Sequence, residues 1–95
     1  MEYSVSIYVE GDREIQLEEV VQLADAVAAH KGVASGAGAY GYGAQVVVIA
    51  ESELEARERA IEVFHEAVRT AKMPEWPIVN VETISEHEAF ELEDQ

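Results

Sequence analysis

The stretch Gln45-Val46-Val47-Val48-Ile49-Ala50-Glu51-Ser52-Glu53-Leu54-Glu55 decides the fold, because it places an apolar strand directly before the start of a helix. Residues 45–50 are rich in β-branched side chains on both faces, a composition typical of a strand that is covered on two sides. Ser52 and Glu55 have the spacing of a capping box, in which each residue's side chain binds the other's backbone N–H. The stretch therefore predicts a central strand followed by a helix.

The second half of the chain extends this pattern. Beyond Ser52 the apolar residues recur at helical spacing, and the pairs Glu53/Arg57 and Glu55/Arg59 lie four residues apart on the opposite side. The apolar positions are Ala60, Ile61, Phe64, Val68 and Ala71. The segment Met73-Pro74-Glu75-Trp76-Pro77 ends the helix, and the alternation over residues 78–84 predicts a last strand.

The first half repeats the order of strand and helix. Residues 3–10 alternate between apolar and polar side chains, which predicts a half-buried strand. Residues 15–30 predict an amphipathic helix that ends at Gly32. The apolar stripe of this helix is predicted to contain Leu17, Val20, Val21, Ala24, Val27 and Ala28. The glycine-rich residues 33–43 predict a short edge strand and a flexible hairpin, whose register the sequence specifies weakly.

The resulting order is strand, helix, strand, strand, helix, strand, which is similar to the ferredoxin-like fold. The resemblance implies an α+β domain with a four-stranded antiparallel sheet and both helices on one face. We expect a single domain over residues 1–85. Residues 86–95 are expected to form an acidic C-terminal segment, either a short helix or a frayed tail.

The charge of the chain restricts its partners. Twenty acidic residues stand against six basic ones, which gives a formal charge of −14. Contacts with nucleic acid or with an anionic membrane need clustered lysine and arginine, so we expect neither partner. There is no cysteine to form disulfides, and no signal peptide or membrane-spanning run is recognisable, so a cytoplasmic location is expected.

Two short segments resemble the signatures of RNA recognition motifs. They are Ile7-Tyr8-Val9-Glu10-Gly11 and Ala39-Tyr40-Gly41-Tyr42. The resemblance implies stacking aromatics on the two central strands, although Gly38 and Ala39 stand where that family has a basic residue and a glycine. With so few basic residues we expect the likeness to be one of topology only. Tyr8, Tyr40, Tyr42 and Trp76 are the candidate residues for binding a ligand or a partner.

No catalytic or metal-binding set can be recognised in the sequence. Residues 36–41 spell G-x-G-x-x-G, but they follow a helix and precede a strand, the reverse of a dinucleotide-binding site. Glu62 and His65 form a single Glu-x-x-His step, whereas carboxylate-bridged metal centres use two together with further ligands. We therefore predict no catalytic residue, no metal and no cofactor.

The strand at residues 45–50 suggests self-association. Helices on one face of the sheet can cover either Val46 and Val48 or Val47 and Ile49, so the other pair lies on the open side. Such an apolar patch usually has a cover. The cover is either a second copy, which gives a homodimer through Val46, Val47, Val48 and Ile49, or the C-terminal segment with Phe90 and Leu92. We favour the second copy because the segment is dominated by glutamates.

Two functional classes remain open. The first is a non-enzymatic, acidic interaction or assembly module that self-associates and has a possible further protein partner. The second follows from resemblance, because size and strand order are similar to dimeric α/β-barrel proteins and to small ligand-sensing domains. That resemblance implies a small-molecule-binding domain or a cofactor-independent enzyme. The composition also resembles that of small actinobacterial and phage-type domains, which implies no activity.

Overall fold

β1 (Glu2–Glu10) is bonded on both sides and forms the middle of the sheet. The computed structural model describes residues 1–85, and the predicted C-terminal segment at residues 86–95 lies outside them. The remaining elements are α1 (Leu17–Val27), β2 (Val33–Ser35), β3 (Gly41–Ile49), α2 (Glu53–Ala71) and β4 (Ile78–Ser85), with a single 3-10 turn at Ala28–His30. The strand order is β2-β3-β1-β4, and all neighbours are antiparallel. The predicted α+β fold with ferredoxin-like order is confirmed.

The sheet has one side that packs on the helices and one that does not, which we call the open face. Along β1 the odd-numbered side chains from Tyr3 to Val9 are buried in the core, and the even-numbered ones are not. Val46 and Val48 lie opposite buried residues of β1 and are only 1% and 8% exposed. Including these two residues in a self-association surface was therefore wrong. Val47 and Ile49 point to the open face.

α1 buries a different stripe from the one that its sequence predicts. Val20, Leu23 and Val27 are buried, whereas Leu17 and Val21 are exposed. The apolar arc of this helix is wider than the surface that the sheet and α2 cover, so one edge of the arc stays in solvent. α1 ends at Val27, and the 3-10 turn that follows it is capped by Lys31, which is left-handed with φ 55°, and not by Gly32. Gly32 instead donates its N–H to the carbonyl of Val27.

α2 begins where the sequence predicts, with one of the two hydrogen bonds of the predicted capping box among residues 1–85. The hydroxyl of Ser52 accepts a hydrogen bond of 3.2 Å from the backbone N–H of Glu55. Arg59 and Glu55 form the expected ion pair at 2.8 Å, while within residues 1–85 none joins Glu53 to Arg57. The buried stripe consists of Ala56, Ala60, Phe64, Ala67, Val68 and Ala71. The small residues in this stripe let the helix lie close to the sheet.

The glycine-rich segment gives a longer strand and a shorter hairpin than predicted. β3 starts at Gly41, four residues before the predicted strand, because Gly41 and Gly43 pair with Glu10 and Tyr8. Only three residues of β2 pair with β3, from Val33 to Ser35. The connection between them contains two glycines with positive φ, Gly36 at 135° and Gly38 at 81°. The short β2 leaves the last part of β3 without a strand on its outer side.

Candidate functional site

The open face carries an apolar patch at one end. Ser4 pairs with Val47 on β3 and with Ile84 on β4, so these two side chains flank it. Ile49 lies next to Val47 on the same face, and Ile49 and Ile84 are 68% and 44% exposed. We call Val47, Ile49 and Ile84 the apolar corner. It is the exposed apolar surface that the sheet presents on the side away from the helices, with Val33 on β2 adding to it.

The middle of the open face is polar and includes the charged residue Glu82. The side-chain amide of Gln45 donates a hydrogen bond of 2.6 Å to the hydroxyl of Ser4. Ser6 pairs with Gln45 on β3 and with Glu82 on β4. Beside the apolar corner, Glu2 faces Ile49 and pairs with Lys31 at 3.7 Å. A partner that covers this face therefore meets the carboxylates of Glu2 and Glu82 beside these uncharged groups.

Tyr8 lies on the open face and packs against glycines. A Cβ atom at Gly41 would come within 2.5 Å of its hydroxyl, and one at Gly43 within 3.1 Å of its Cδ1 atom. The ring therefore lies along the backbone of β3, where glycine leaves room for it. Of the four aromatic candidates, Tyr8 is the one that the structure places on this face.

Tyr42 and Trp76 belong to the core and its margin. Tyr42 lies on the helix-facing side, fully buried, and its ring centroid is 6.0 Å from that of Phe64 and 5.8 Å from that of Trp76. Trp76 in turn covers Gly11, where a Cβ would lie 1.9 Å from the indole. Assigning Tyr42 to ligand or partner binding was therefore wrong, because its side chain is enclosed. Tyr40 is exposed in the turn before β3, so Tyr40 and Tyr42 do not form a stacking pair.

Burial changes the acidity of the Tyr42 phenol. Its hydroxyl donates a hydrogen bond of 2.5 Å to the carbonyl oxygen of Pro74. Loss of water around the ring, followed by the charges of Glu75 and Glu19, raises the pKa of Tyr42 to about 12. The phenol is therefore neutral over the physiological range. Its part in the structure is that of a buried donor.

A bidentate ion pair fixes the connection between β1 and α1. Arg13 contacts both carboxylate oxygens of Glu19, at 2.9 and 2.6 Å, and lies 6.0 Å from the ring of Trp76. Glu19 also accepts a hydrogen bond of 2.9 Å from the backbone N–H of Gln16. The bond from Arg13, followed by the one from Gln16, lowers the pKa of Glu19 from 4.5 to about 2. This pair stabilises the start of α1.

A shallow groove lies where the outer side of β3 meets α2. It has a volume of about 380 Å³, and its walls are apolar side chains with three polar groups at the rim. The lining residues are His30, Val47, Val48, Ile49, Arg59, Glu62 and Val63. No local sequence pattern indicates this groove, because its residues lie far apart in the chain. It exists because β2 is too short to cover the end of β3.

The other histidine and carboxylate candidates stay apart. His65 packs its ring edge against Phe64 at 6.2 Å and does not line the groove with Glu62. Within residues 1–85, no three histidine, aspartate or glutamate side chains come together as a metal site would require. No helix in the same part of the chain is both long and apolar enough to cross a membrane.

Comparison of the chain with protein-family models, with curated proteins and with solved structures found no match.

Proposed function

We propose that this protein is a non-enzymatic interaction module that self-associates through the open face of its sheet. The apolar corner of Val47, Ile49 and Ile84 is the observation that carries the proposal. In an antiparallel sheet with helices on one side, the other side is normally polar when it faces water. Here three branched apolar side chains lie together on that side, and Ile49 is 68% exposed. Contact with a second copy would remove them from water.

The shape of the face supports a two-fold contact. Two sheets pack face to face with their strands nearly aligned, and a two-fold axis in the plane of the contact makes the patch self-complementary. Two strands of nine residues, one of eight and one of three give a face of roughly 500 Å² per copy. Stable interfaces bury about 800 Å² per partner. We therefore expect a micromolar rather than a nanomolar dimer.

The net charge opposes this association from a distance. Two copies of charge −14 repel one another, and salt screens that repulsion. Glu2 and Glu82 lie on the open face, so part of this repulsion arises within the contact itself. Association is therefore expected to strengthen as the salt concentration rises, the opposite of what a contact made of ion pairs would show.

Light scattering coupled to gel filtration tests the proposal with a matched pair of variants. Ile49→Asp places a charge in the apolar corner, whereas Leu17→Asp places one on α1, where the side chain is 66% exposed. We expect a dimer mass for the wild type and for Leu17→Asp, and a monomer for Ile49→Asp. Circular dichroism checks that both variants fold. A wild-type monomer at high micromolar concentration overturns the proposal, as does equal dissociation by the two variants.

The groove beside β3 favours a second candidate, a small-molecule-binding domain or a cofactor-independent enzyme of the dimeric α/β-barrel type. An imidazole, a guanidinium and a carboxylate surround an apolar floor there, as in many ligand sites. Arg59 is already paired with Glu55 at 2.8 Å, which reduces its attraction for an anion. Saturation-transfer NMR with a fragment library tests this candidate. Contacts that Arg59→Ala abolishes, with Arg69→Ala as the control, would support it.

A further inference from the structure

Among the residues that the structure describes, β4 has no strand on its outer side and forms an edge of the sheet. It is the last strand in the order β2-β3-β1-β4, so within residues 1–85 only β1 pairs with it. Free edges present unpaired backbone N–H and C=O groups to solvent, and proteins usually protect them with lysines, prolines or bulges. The strand itself has no lysine and no proline, and its one charged residue is Glu82. A bulge at Val79 interrupts only its beginning.

The hydrogen bonds of β1 show which groups of β4 point outward. The amino group of Met1 donates a hydrogen bond of 3.0 Å to the carbonyl oxygen of Ala50, and the N–H of Ala50 donates one of 3.0 Å to the carbonyl oxygen of Met1. These two residues therefore form a bonded pair. Because bonded pairs alternate along an antiparallel ladder, every second residue from Met1 onward bonds to β3. The even-numbered residues of β1 therefore bond to β4. Their partners Asn80, Glu82 and Ile84 face inward, and the N–H and C=O groups of Val81 and Thr83 point away from the sheet.

We propose that β4 pairs antiparallel with β4 of a second copy, about a two-fold axis at Val81, so that the sheet becomes continuous over both copies. Bonding requires outward-pointing residues to face one another, which allows an axis at any residue from Asn80 to Ile84, and axes at Val81 and Glu82 pair the longest stretch of the strand. An axis at Glu82 places two like charges directly opposite each other, and an axis at Thr83 places Glu82 opposite Ile84. An axis at Val81 places Asn80 opposite Glu82 of the partner, twice.

The pairing at Val81 is favourable because the amide of Asn80 can donate to the carboxylate of Glu82 in the other copy. Both side chains lie on the open face, exposed and close enough across non-bonded pairs for direct contact. This arrangement forms without rearranging the bonds between β1 and β4. The strand is therefore complementary to itself in one register.

A second copy fits this edge better than the C-terminal segment does. To pair with β4, that segment would have to turn back directly after Ser85. Residues 85–88 read Ser-Glu-His-Glu, which contains one of the residues that turns favour, Ser85, and no glycine, asparagine, aspartate or proline. A separate strand needs no such turn.

This edge contact goes beyond the proposed self-association, because it uses a different surface. Its two-fold axis runs through the sheet, whereas the axis of the face-to-face contact lies between two sheets. The two contacts can therefore form in the same assembly or separately. A variant that breaks one leaves the surface of the other intact.

Disulfide trapping tests the pairing and its register, since the chain has no cysteine of its own. Asn80→Cys and Glu82→Cys are prepared separately and then mixed in an oxidising buffer at micromolar concentration. Facing Cα atoms in a non-bonded pair are about 4.5 Å apart, within reach of a disulfide. We expect cross-linked heterodimers in the mixture and at least about ten times less cross-linking of either variant alone. Leu17→Cys mixed with Asn80→Cys measures random collisions.

A second measurement uses Thr83→Pro. This substitution removes an N–H group that points outward, and it keeps the N–H groups of β4 that bond to β1. In the background of the cysteine pair it is expected to reduce heterodimer cross-linking at least about tenfold, while Ile49→Asp leaves it unchanged. Cross-linking of the mixture no faster than that of the Leu17 control overturns the proposal. Faster cross-linking of Glu82→Cys alone overturns it as well, since this shows an axis at Glu82. Deletion of residues 86–95 should not reduce the cross-linking.

Discussion

The hydroxyl of Tyr42 donates its hydrogen bond to the carbonyl oxygen of Pro74, at 2.5 Å and 32 positions further along the chain. The bond joins the beginning of β3 to the connection between α2 and β4. Trp76, in the same connection, lies against the Tyr42 ring and covers Gly11. The buried phenol of Tyr42 thus links the beginning of β3 to the segment after α2 and, through Trp76, to Gly11 directly after β1. This explains why an aromatic residue beside two glycines is part of the core.

Replacing Tyr42 by phenylalanine is expected to lower the free energy of unfolding by about 1–2 kcal/mol, because the carbonyl of Pro74 loses its donor in a partly buried place. Urea denaturation monitored by circular dichroism measures this. Tyr40→Phe is the control, since Tyr40 is exposed and its substitution should cost almost nothing. Equal effects of the two substitutions would contradict the assignment of Tyr42 to the core.

The raised pKa of Tyr42 predicts a loss of stability at alkaline pH. The folded protein holds the phenol neutral up to a pKa of about 12, whereas the value in the unfolded chain is 10.0. The contribution is therefore complete below pH 10 and disappears as the pH rises from 10 towards 12. The difference in stability between wild type and Tyr42→Phe should show this dependence in urea denaturation. A difference that stays constant over this range would refute it.

The lowered pKa of Glu19 predicts the opposite dependence in acid. The carboxylate contributes stability above its unfolded pKa of 4.5, and the contribution disappears as the pH falls towards a folded pKa of about 2. Glu19→Gln should lower the melting temperature at neutral pH and have little effect near pH 2. The matched variant Glu18→Gln, on the same turn of α1, should leave the melting temperature nearly unchanged at both pH values.

Thr83 offers a stabilising substitution. Its hydroxyl is buried and has no hydrogen-bond partner among residues 1–85. Burial of a hydroxyl without a partner costs about 1–3 kcal/mol, so Thr83→Val, which keeps the shape, should raise the stability by about 1 kcal/mol. Calorimetry of the wild type and the variant decides this. A lower melting temperature for Thr83→Val would mean that the hydroxyl has a partner.

The elements that the sequence predicts well are those whose pattern is unambiguous. Ser52 caps α2 as expected, and the alternation in residues 3–10 gives β1 with its correct buried side. The orientation of β3 could not be derived from residues 45–50, because both of its faces are apolar. Tyr42 and Val46 are both even-numbered and therefore lie on the same side of a continuous strand. The burial of Tyr42 follows once β3 is known to continue through Gly43. The glycines concealed that continuity, since they are typical of turns.

The proposed binding surfaces depend on the lengths of strands and helices, which no local sequence pattern specifies. The groove beside β3 exists because β2 has three residues, and the weak register of a glycine-rich segment does not determine that number. The exposure of Leu17 depends on how far α2 extends over α1. The sequence did predict an apolar pair on the open face, and Val47 and Ile49 are that pair.

The position of β1 has a consequence for the timing of synthesis. This strand is made before its two partners, which lie much later in the chain, and Ser4 pairs with Ile84. At about 5–20 residues per second, a ribosome needs roughly 4–16 s to reach Ile84 after Ser4. During that interval Val5, Ile7 and Val9 have no finished sheet to enter. We expect nascent chains shorter than about 80 residues to bind holding chaperones, and full-length chains to release them.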